Sequence, residues 1–359
     1  MTVLQELEEA PVFPGWGPEH EDFRRSVRQF VERALPEETV RRLMDTDDGH
    51  DPALWRQSAE QLGLPGLLVP EEYGGTGLTV LELGVVVEEL GRGVVGGPFL
   101  ATAVLAVAAL TGADEQARQE FLPGIAEGTS IATVAIEDVD VRVTDGLLHG
   151  TAPYVLDGGL ADLVLVPAGG RLFAVTGDPQ GLTRTRLRTV DATRKQATLT
   201  FDGVPARDIG PADLDRLRDL AAAVVAVEQI GGAQRCLEMS VEYAKVRTQF
   251  GSLIGAFQAV KHRCADMLVQ VELARSAAYQ ALQAAAEDSP LFPALAVLAK
   301  ACCSEAYTFT SAETVQVHGG IGFTWEHPAH LYFKRAAATA LLFGDPDSAR
   351  AAFADRISL

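Results

Sequence analysis

Two stretches of the chain group side chains suited to binding. In "RTQFGSLIGAFQ", Arg247, Gln249, Phe250 and Gly251 stand together and Gln258 follows. A guanidinium is a natural partner of phosphate, because its planar fork donates two parallel hydrogen bonds. In "QVHGGIGFTWEHP", Gln316 precedes Gly319 and Gly320, and paired glycines let another group approach the main chain closely. The plainer alternative is that Arg247 ends a helix with a favourable charge and the glycines are turn residues. Titratable groups lie nearby. Glu326, His327 and His330 follow the glycines, and Asp345 sits in "LLFGDPDS". The first three are expected to pack or pair near a helix start. Glu228, in "AVVAVEQIGG", and Asp345 are expected to cap a helix or face solvent.

The elements that position these residues follow from period. Residues 18 to about 127 read as helices. "EDFRRSVRQFVERAL" sets Phe23, Val27, Phe30, Val31 and Leu35 on one face, and a further helix is predicted to start near Thr79. From Ile131 to about Ile209 the pattern changes to short β-type runs split by Gly, Asp and Pro, such as "ADLVLVPA" and "QATLTFDGV". From Pro211 the helical period returns, with Val260, Cys264, Met267 and Val271 at i, i+4, i+7 and i+11. The order predicts an α+β protein with segregated layers rather than alternating βαβ units. Its domains are a helical one at 1–127, a β domain at 128–210 and a helical bundle at 211–359.

Composition bounds the partners. The 359 residues carry a net charge of −19, which argues against a nucleic-acid backbone as ligand, since that needs a basic face. No apolar run is long enough to span a bilayer. The opening "MTVLQELEEAPVFPG" lacks a basic region followed by an apolar core, so no signal peptide is expected. Cys236, Cys264, Cys302 and Cys303 have no metal-ligand spacing and read as reduced thiols of a cytoplasmic protein.

The "YAKVRTQFGSLIGAFQAVKHRCADM", "QVHGGIGFTWEHP" and "VPEEYGGTGLT" stretches, with the helix–β–helix order, resemble the acyl-CoA dehydrogenase family over nearly the whole chain. The resemblance implies that family's fold, with a C-terminal four-helix bundle, and FAD as cofactor. It implies oxidation of an acyl-CoA thioester to the 2-enoyl-CoA, in which a carboxylate removes the α proton and the flavin takes the β hydride. Hydrogen bonds to the thioester oxygen hold the developing enolate. In the family FAD lies at a subunit interface. Arg247 is then expected on the pyrophosphate of a neighbour's FAD, with Gln249, Phe250 and Gln258 supporting it. Gln316, Gly319 and Gly320 are expected at its adenosine end.

The residues that would touch a chain's own flavin depart from the family pattern. Ile136 stands where a hydroxyl meets the flavin edge, Tyr154 replaces a Trp, and Leu156 replaces a Thr. Phe343 occupies the base position, and Ala221 the alternative base position on the preceding helix. Glu228 lies about two turns, roughly 10 Å, beyond Ala221. The losses fall on contacts made in cis, whereas contacts made in trans remain. The chain therefore resembles the base-lacking subunit of actinobacterial heteromeric acyl-CoA dehydrogenases. That implies an α2β2 assembly with a homologous subunit that carries the catalytic Glu. It further implies bulky CoA esters such as steroid side chains as substrate, and an electron-transfer flavoprotein-like acceptor. Two alternatives stay open: a homomeric dehydrogenase with a relocated base, and a flavin-free scaffold subunit.

Overall fold

A computed structural model describes residues 17–358; the opening segment read above for a signal peptide lies outside the described residues. The chain runs helices, strands, helices. Helix α1 (Pro18–Ala34) buries Val27, Phe30 and Val31, with Phe23 packed alongside, and Leu35 falls just past its end. Helices α2 (Glu37–Met44) and α3 (Pro52–Leu62) follow, α3 capped by Asp51, whose carboxylate accepts from Ala53 N and Leu54 N. Helix α4 (Val80–Arg92) starts at Thr79 with reciprocal capping: Thr79 Oγ1 accepts from Leu81 N, and Glu82 accepts from Thr79 N at 2.8 Å. A π-helical stretch at Leu100–Ala106 then leads into α5 (Val107–Thr111) and α6 (Glu115–Ala126).

Eight strands form two four-stranded sheets. The first, in order β1-β4-β5-β8, holds β1 (Ala132–Val134), β4 (Leu163–Ala168), β5 (Arg171–Thr176) and β8 (Arg207–Pro211). The second, β2-β3-β7-β6, holds β2 (Asp140–Thr144), β3 (Leu147–Leu156), β7 (Gln196–Pro205) and β6 (Leu182–Arg186). Only β1 and β4 pair in parallel among these. Strand β7 alternates, with Ala197, Leu199 and Phe201 inward, as a half-buried strand must. Those side chains meet Val164, Val166, Phe173 and Val175 of the other sheet in a separate core.

Three long helices dominate the C-terminal part: α7 (Leu214–Val246), α8 (Gln258–Ala286) and α9 (Phe292–His318). Two shorter ones, α10 (Ala329–Leu341) and α11 (Pro346–Arg356), pack on α9 and complete the bundle. Helices α4 and α7 cross with main chains in contact. A Cβ at Gly91 would lie 2.1 Å from Glu228 O, and one at Gly231 1.9 Å from Glu88 O, so only glycine fits either position. This crossing joins the N-terminal helices to the bundle through the largest core.

Candidate functional site

The first motif begins where α7 stops. Arg247 is extended rather than helical, and the chain folds into a tight hairpin, Thr248–Gln249 against Ser252–Leu253. Phe250 (φ +51°) and Gly251 (φ +79°) form its two-residue turn, the left-handed pair that matches strand twist. Ile254 N donates to Arg247 O at 2.8 Å, and Phe257 meets Phe250 edge-on at 6.2 Å. Gln258 opens α8. The second motif ends α9. Gln316 lies on its last turn, and Gly319 (φ +62°) turns the chain into a 3-10 segment, Gly319–Phe323.

The structure brings the two motifs together. Tyr243, one turn before Arg247, stacks on His318, one residue before Gly319, with ring centroids 4.5 Å apart. Arg247, Gln249, Phe250, Gln258, Gln316, Gly319 and Gly320 are all exposed. The Arg247 guanidinium makes no hydrogen bond or ion pair among the described residues. Nothing lies within 4 Å of a Cβ added to Gly251, Gly319 or Gly320. Around this open cradle stand Phe250, 93% exposed, Phe323, 87%, and Trp325, 67%. Aromatic exposure of this kind marks an interaction surface. The charge also changes sign locally. No Asp or Glu occurs between Tyr243 and Ala265, where Lys245, Arg247, Lys261 and Arg263 lie, although the whole chain is at −19; of these, Arg263 is paired to Glu313 of α9. An open glycine turn, a free guanidinium and a locally basic surface fit a dinucleotide diphosphate.

The residues at the positions expected to face a flavin in cis are apolar or turned away. Ile136 and Leu156, 4% and 5% exposed, are packed in the main core and offer no hydrogen bond to a ring. Tyr154 sits on a bulge of β3 with φ +56° and points to solvent. Between Leu156, Val87, Phe99 and Glu228 lies a cavity of about 30 Å³, room for a water, and a larger one of about 500 Å³, lined by Asp157, Arg186, Lys195 and Gln196, opens beside Asp157. A Cβ at Gly96 would lie 2.0 Å from Thr193 O, so the loop after α4 and the loop before β7 are in backbone contact.

Two of the three carboxylates raised by the sequence, Asp345 and Glu228, are already engaged. Asp345 caps α11, accepting from Asp347 N at 2.9 Å and Ser348 N at 3.0 Å. Glu228 corrects the expectation of a capping or solvated group. It is buried and takes Arg194 and Arg335 at 2.6 Å each. Those two cations, the larger acting from Arg194, outweigh burial and hold its carboxyl below the usual range. Arg335 also reaches Asp191 and Thr193 Oγ1. His327 accepts from Ala329 N at 3.2 Å at the start of α10, and Glu326 is exposed. Ala221 is fully buried.

Phe343 (φ +57°) and Gly344 (φ +103°) make a left-handed turn, and the half-buried Phe343 ring packs on the main core. A residue that sequence reading missed holds this turn. Lys300 is fully buried and donates to Ser304 Oγ, Ala340 O and Gly344 O at 3.0, 3.0 and 2.8 Å. Burial pushes its pKa down to about 8. Its one signal was a lone lysine among alanines in "LAVLAKACC". The four cysteines are unpaired, and Cys236 and Cys303 are buried. Among the described residues, no cluster of His, Cys, Asp and Glu fits a metal ion, and no helix is long and apolar enough to cross a membrane.

Helical ends around a double-sheet middle, with a basic glycine cradle at the helix termini, define the architecture of a flavoprotein dehydrogenase. Family models agree: the acyl-CoA dehydrogenase N-terminal domain matches residues 17–129 and the C-terminal domain residues 219–358. The chain belongs to the acyl-CoA dehydrogenase family, oxidoreductases that act on CH–CH donors and normally carry FAD. It is 38% identical to acyl-CoA dehydrogenase IpdE2 of Mycolicibacterium smegmatis, over 91% of this chain and 95% of that protein. A variant of the Tcur3481-Tcur3483 steroid ACAD superposes with a TM-score of 0.87 at 31% identity, covering 95% of this chain and 98% of that one. The ChsE4-ChsE5 complex from Mycobacterium tuberculosis gives 0.89 at 28%, covering 97% and 99%.

Proposed function

We propose that this chain is the base-lacking subunit of a heteromeric FAD-dependent acyl-CoA dehydrogenase, completing a homologous partner's cofactor site in trans. The observation that carries this reading is the asymmetry between its two faces. The Arg247 hairpin and the Gly319–Gly320 turn are open and exposed, while Ile136, Leu156 and Phe343 present hydrocarbon where a flavin and a base would need polar groups. Random decay would erode both faces alike.

In this reading Arg247 binds the pyrophosphate, and Gln249, Phe250 and Gln258 flank it. Gln316, Gly319 and Gly320 receive the adenosine end. The bound cofactor supplies the hydride acceptor. The partner subunit supplies the base and the flavin-ring contacts. The steroid ACAD and the two-component ChsE4-ChsE5 complex among the similar structures favour a steroid acyl-CoA substrate and an α2β2 assembly. An electron-transfer flavoprotein-like acceptor and a cytoplasmic setting, which suits four unpaired thiols, complete the proposal.

The test is Arg247→Ala in the complex co-purified with its homologous partner. One lost charge-assisted bond of about 1.5–3 kcal/mol weakens FAD roughly 10- to 150-fold. Arg247→Lys recovers part of this, because an ammonium lacks the planar fork. A mutant heteromer that assembles and binds FAD as tightly as wild type would sink the proposal.

A further inference from the structure

His318 bridges the two exposed motifs. Its ring lies on Tyr243, with planes 27° from parallel, and also meets the ring of His327 at 4.2 Å. Tyr243 belongs to the last turn of α7, which presents Arg247. His318 itself closes α9 directly before Gly319. His327 is anchored to the first turn of α10 through Ala329 N. His318 Nδ1 lies 2.8 Å from Thr314 O, a group that only accepts, so the proton sits on Nδ1. One buried imidazole thus contacts the arginine-bearing helix end, the glycine turn and the segment behind it.

We propose that His318 is a positioning residue for the cofactor turn, its ring setting the Gly319–Gly320 main chain against the Arg247 hairpin. The proposal rests on the reading above that this turn meets FAD. It gives cofactor binding a built-in pH dependence, because the His318 ring is buried and lies 4.2 Å from the ring of His327, a setting that disfavours a positive charge on it. Tyr243 faces the cluster from α7, His330 and Lys334 from α10, and Glu37 and Arg41 from α2. Glu37 is already paired to Arg41 at 2.7 Å, and Arg41 lies 3.4 Å from His330 Nε2. Lys334 stands over Trp325, which packs edge-on against His330. Burial holds His318 below the ordinary histidine range. Burial and then His318 do the same for His327, and burial followed by Lys334 and Arg41 for His330. A histidine depressed in the folded state costs nothing above its unfolded pKa of about 6.5 and destabilises the native arrangement as pH falls below that.

Two measurements separate this inference from the reading it rests on. The first is amide protection factors of residues 316–323 in the full chain alone between pH 7.5 and 5.5. The second is the FAD dissociation constant of the heteromer over the same range. The wild-type turn should lose protection on acidification, and FAD should weaken by up to about tenfold per pH unit for one linked proton. His318→Asn keeps a donor for Thr314 O but cannot titrate; it should weaken FAD at pH 7.5 and flatten both profiles. His327→Gln, which keeps an acceptor for Ala329 N, should flatten them in part. Unchanged affinity and pH profiles in His318→Asn overturn the inference. A turn that responds to pH through His318 while FAD affinity does not follow overturns the trans-site reading instead.

Discussion

Phe343 holds φ +57° with Gly344 at φ +103° behind it, a conformation uncommon for a bulky residue. Lys300, buried beneath, fixes the carbonyls on either side of it. The turn can therefore present a side chain at this position, but Ile136 and Leu156, which the proposed reading sets at the flavin edge, are core hydrocarbon. Phe343→Glu in the isolated chain is expected to give no acyl-CoA-dependent dye reduction. Measurable reduction would mean that the base was the sole deficit. Asp157 is a second residue with a legible consequence. Its φ is +50°, its carboxylate is buried without a hydrogen bond among the described residues, and burial pushes its pKa up to about 7, against Arg194 and Lys195. A carboxyl raised this way costs nothing below its unfolded pKa near 4, and its cost grows as pH rises through 7. Asp157→Asn tolerates the left-handed backbone and imitates the neutral acid. It should leave stability unchanged near pH 4 and raise it by roughly 2–4 kcal/mol at pH 8. Urea unfolding at the two pH values measures this, and equal effects at both would refute the assignment.

At the scale of elements, the hairpin after α7 combines a left-handed Phe with an exposed ring. A two-residue turn of this shape prefers Asn-Gly. Strain kept at an exposed site points to use rather than to folding. Phe250→Asn should stabilise the isolated chain by about 0.5–1 kcal/mol, because Asn accepts the left-handed region more readily. It should also lower FAD affinity in the heteromer. Gain of stability with no loss of affinity would show that the ring is idle. The loop before β7 behaves differently. Asp191, Thr193 and Arg194 join Glu228 and Arg335 in one buried network that bolts the β domain to the bundle. A network whose lone pairs and protons are so widely shared leaves no free base in it.

At the scale of the whole molecule, the proposed trans role predicts different behaviour for the chain alone and for its complex with a homologous partner. Purified by itself, the chain should be colourless, because its own flavin-edge positions would leave polar ring atoms unpaired against an apolar wall. Co-purified with a homologous partner that carries a Glu, it should yield a yellow complex. An absorbance spectrum of each preparation decides the matter. A yellow, active single chain would favour a relocated base, and a colourless complex would favour a flavin-free scaffold.

The sequence by itself determined the helix–β–helix order, the start of α4 at Thr79 and the motifs that name the family, and it left Asp345 either capping or solvated. These depend on periods, caps and spacings within a few residues of one another, where local sterics and hydrogen bonding decide the outcome. Only the tertiary structure joined the end of α9, which carries Gln316 and leads into Gly319 and Gly320, to the end of α7 that leads into Arg247, through the Tyr243–His318 stack. It alone buried Glu228 between Arg194 and Arg335, where a helix-face reading left it capping or solvated. It also set Lys300 under the Phe343 turn. Each of these contacts joins residues tens of positions apart. Their meeting depends on how closely α4, α7 and α9 approach, which is set by glycines at the crossing and by side-chain volumes in the shared core.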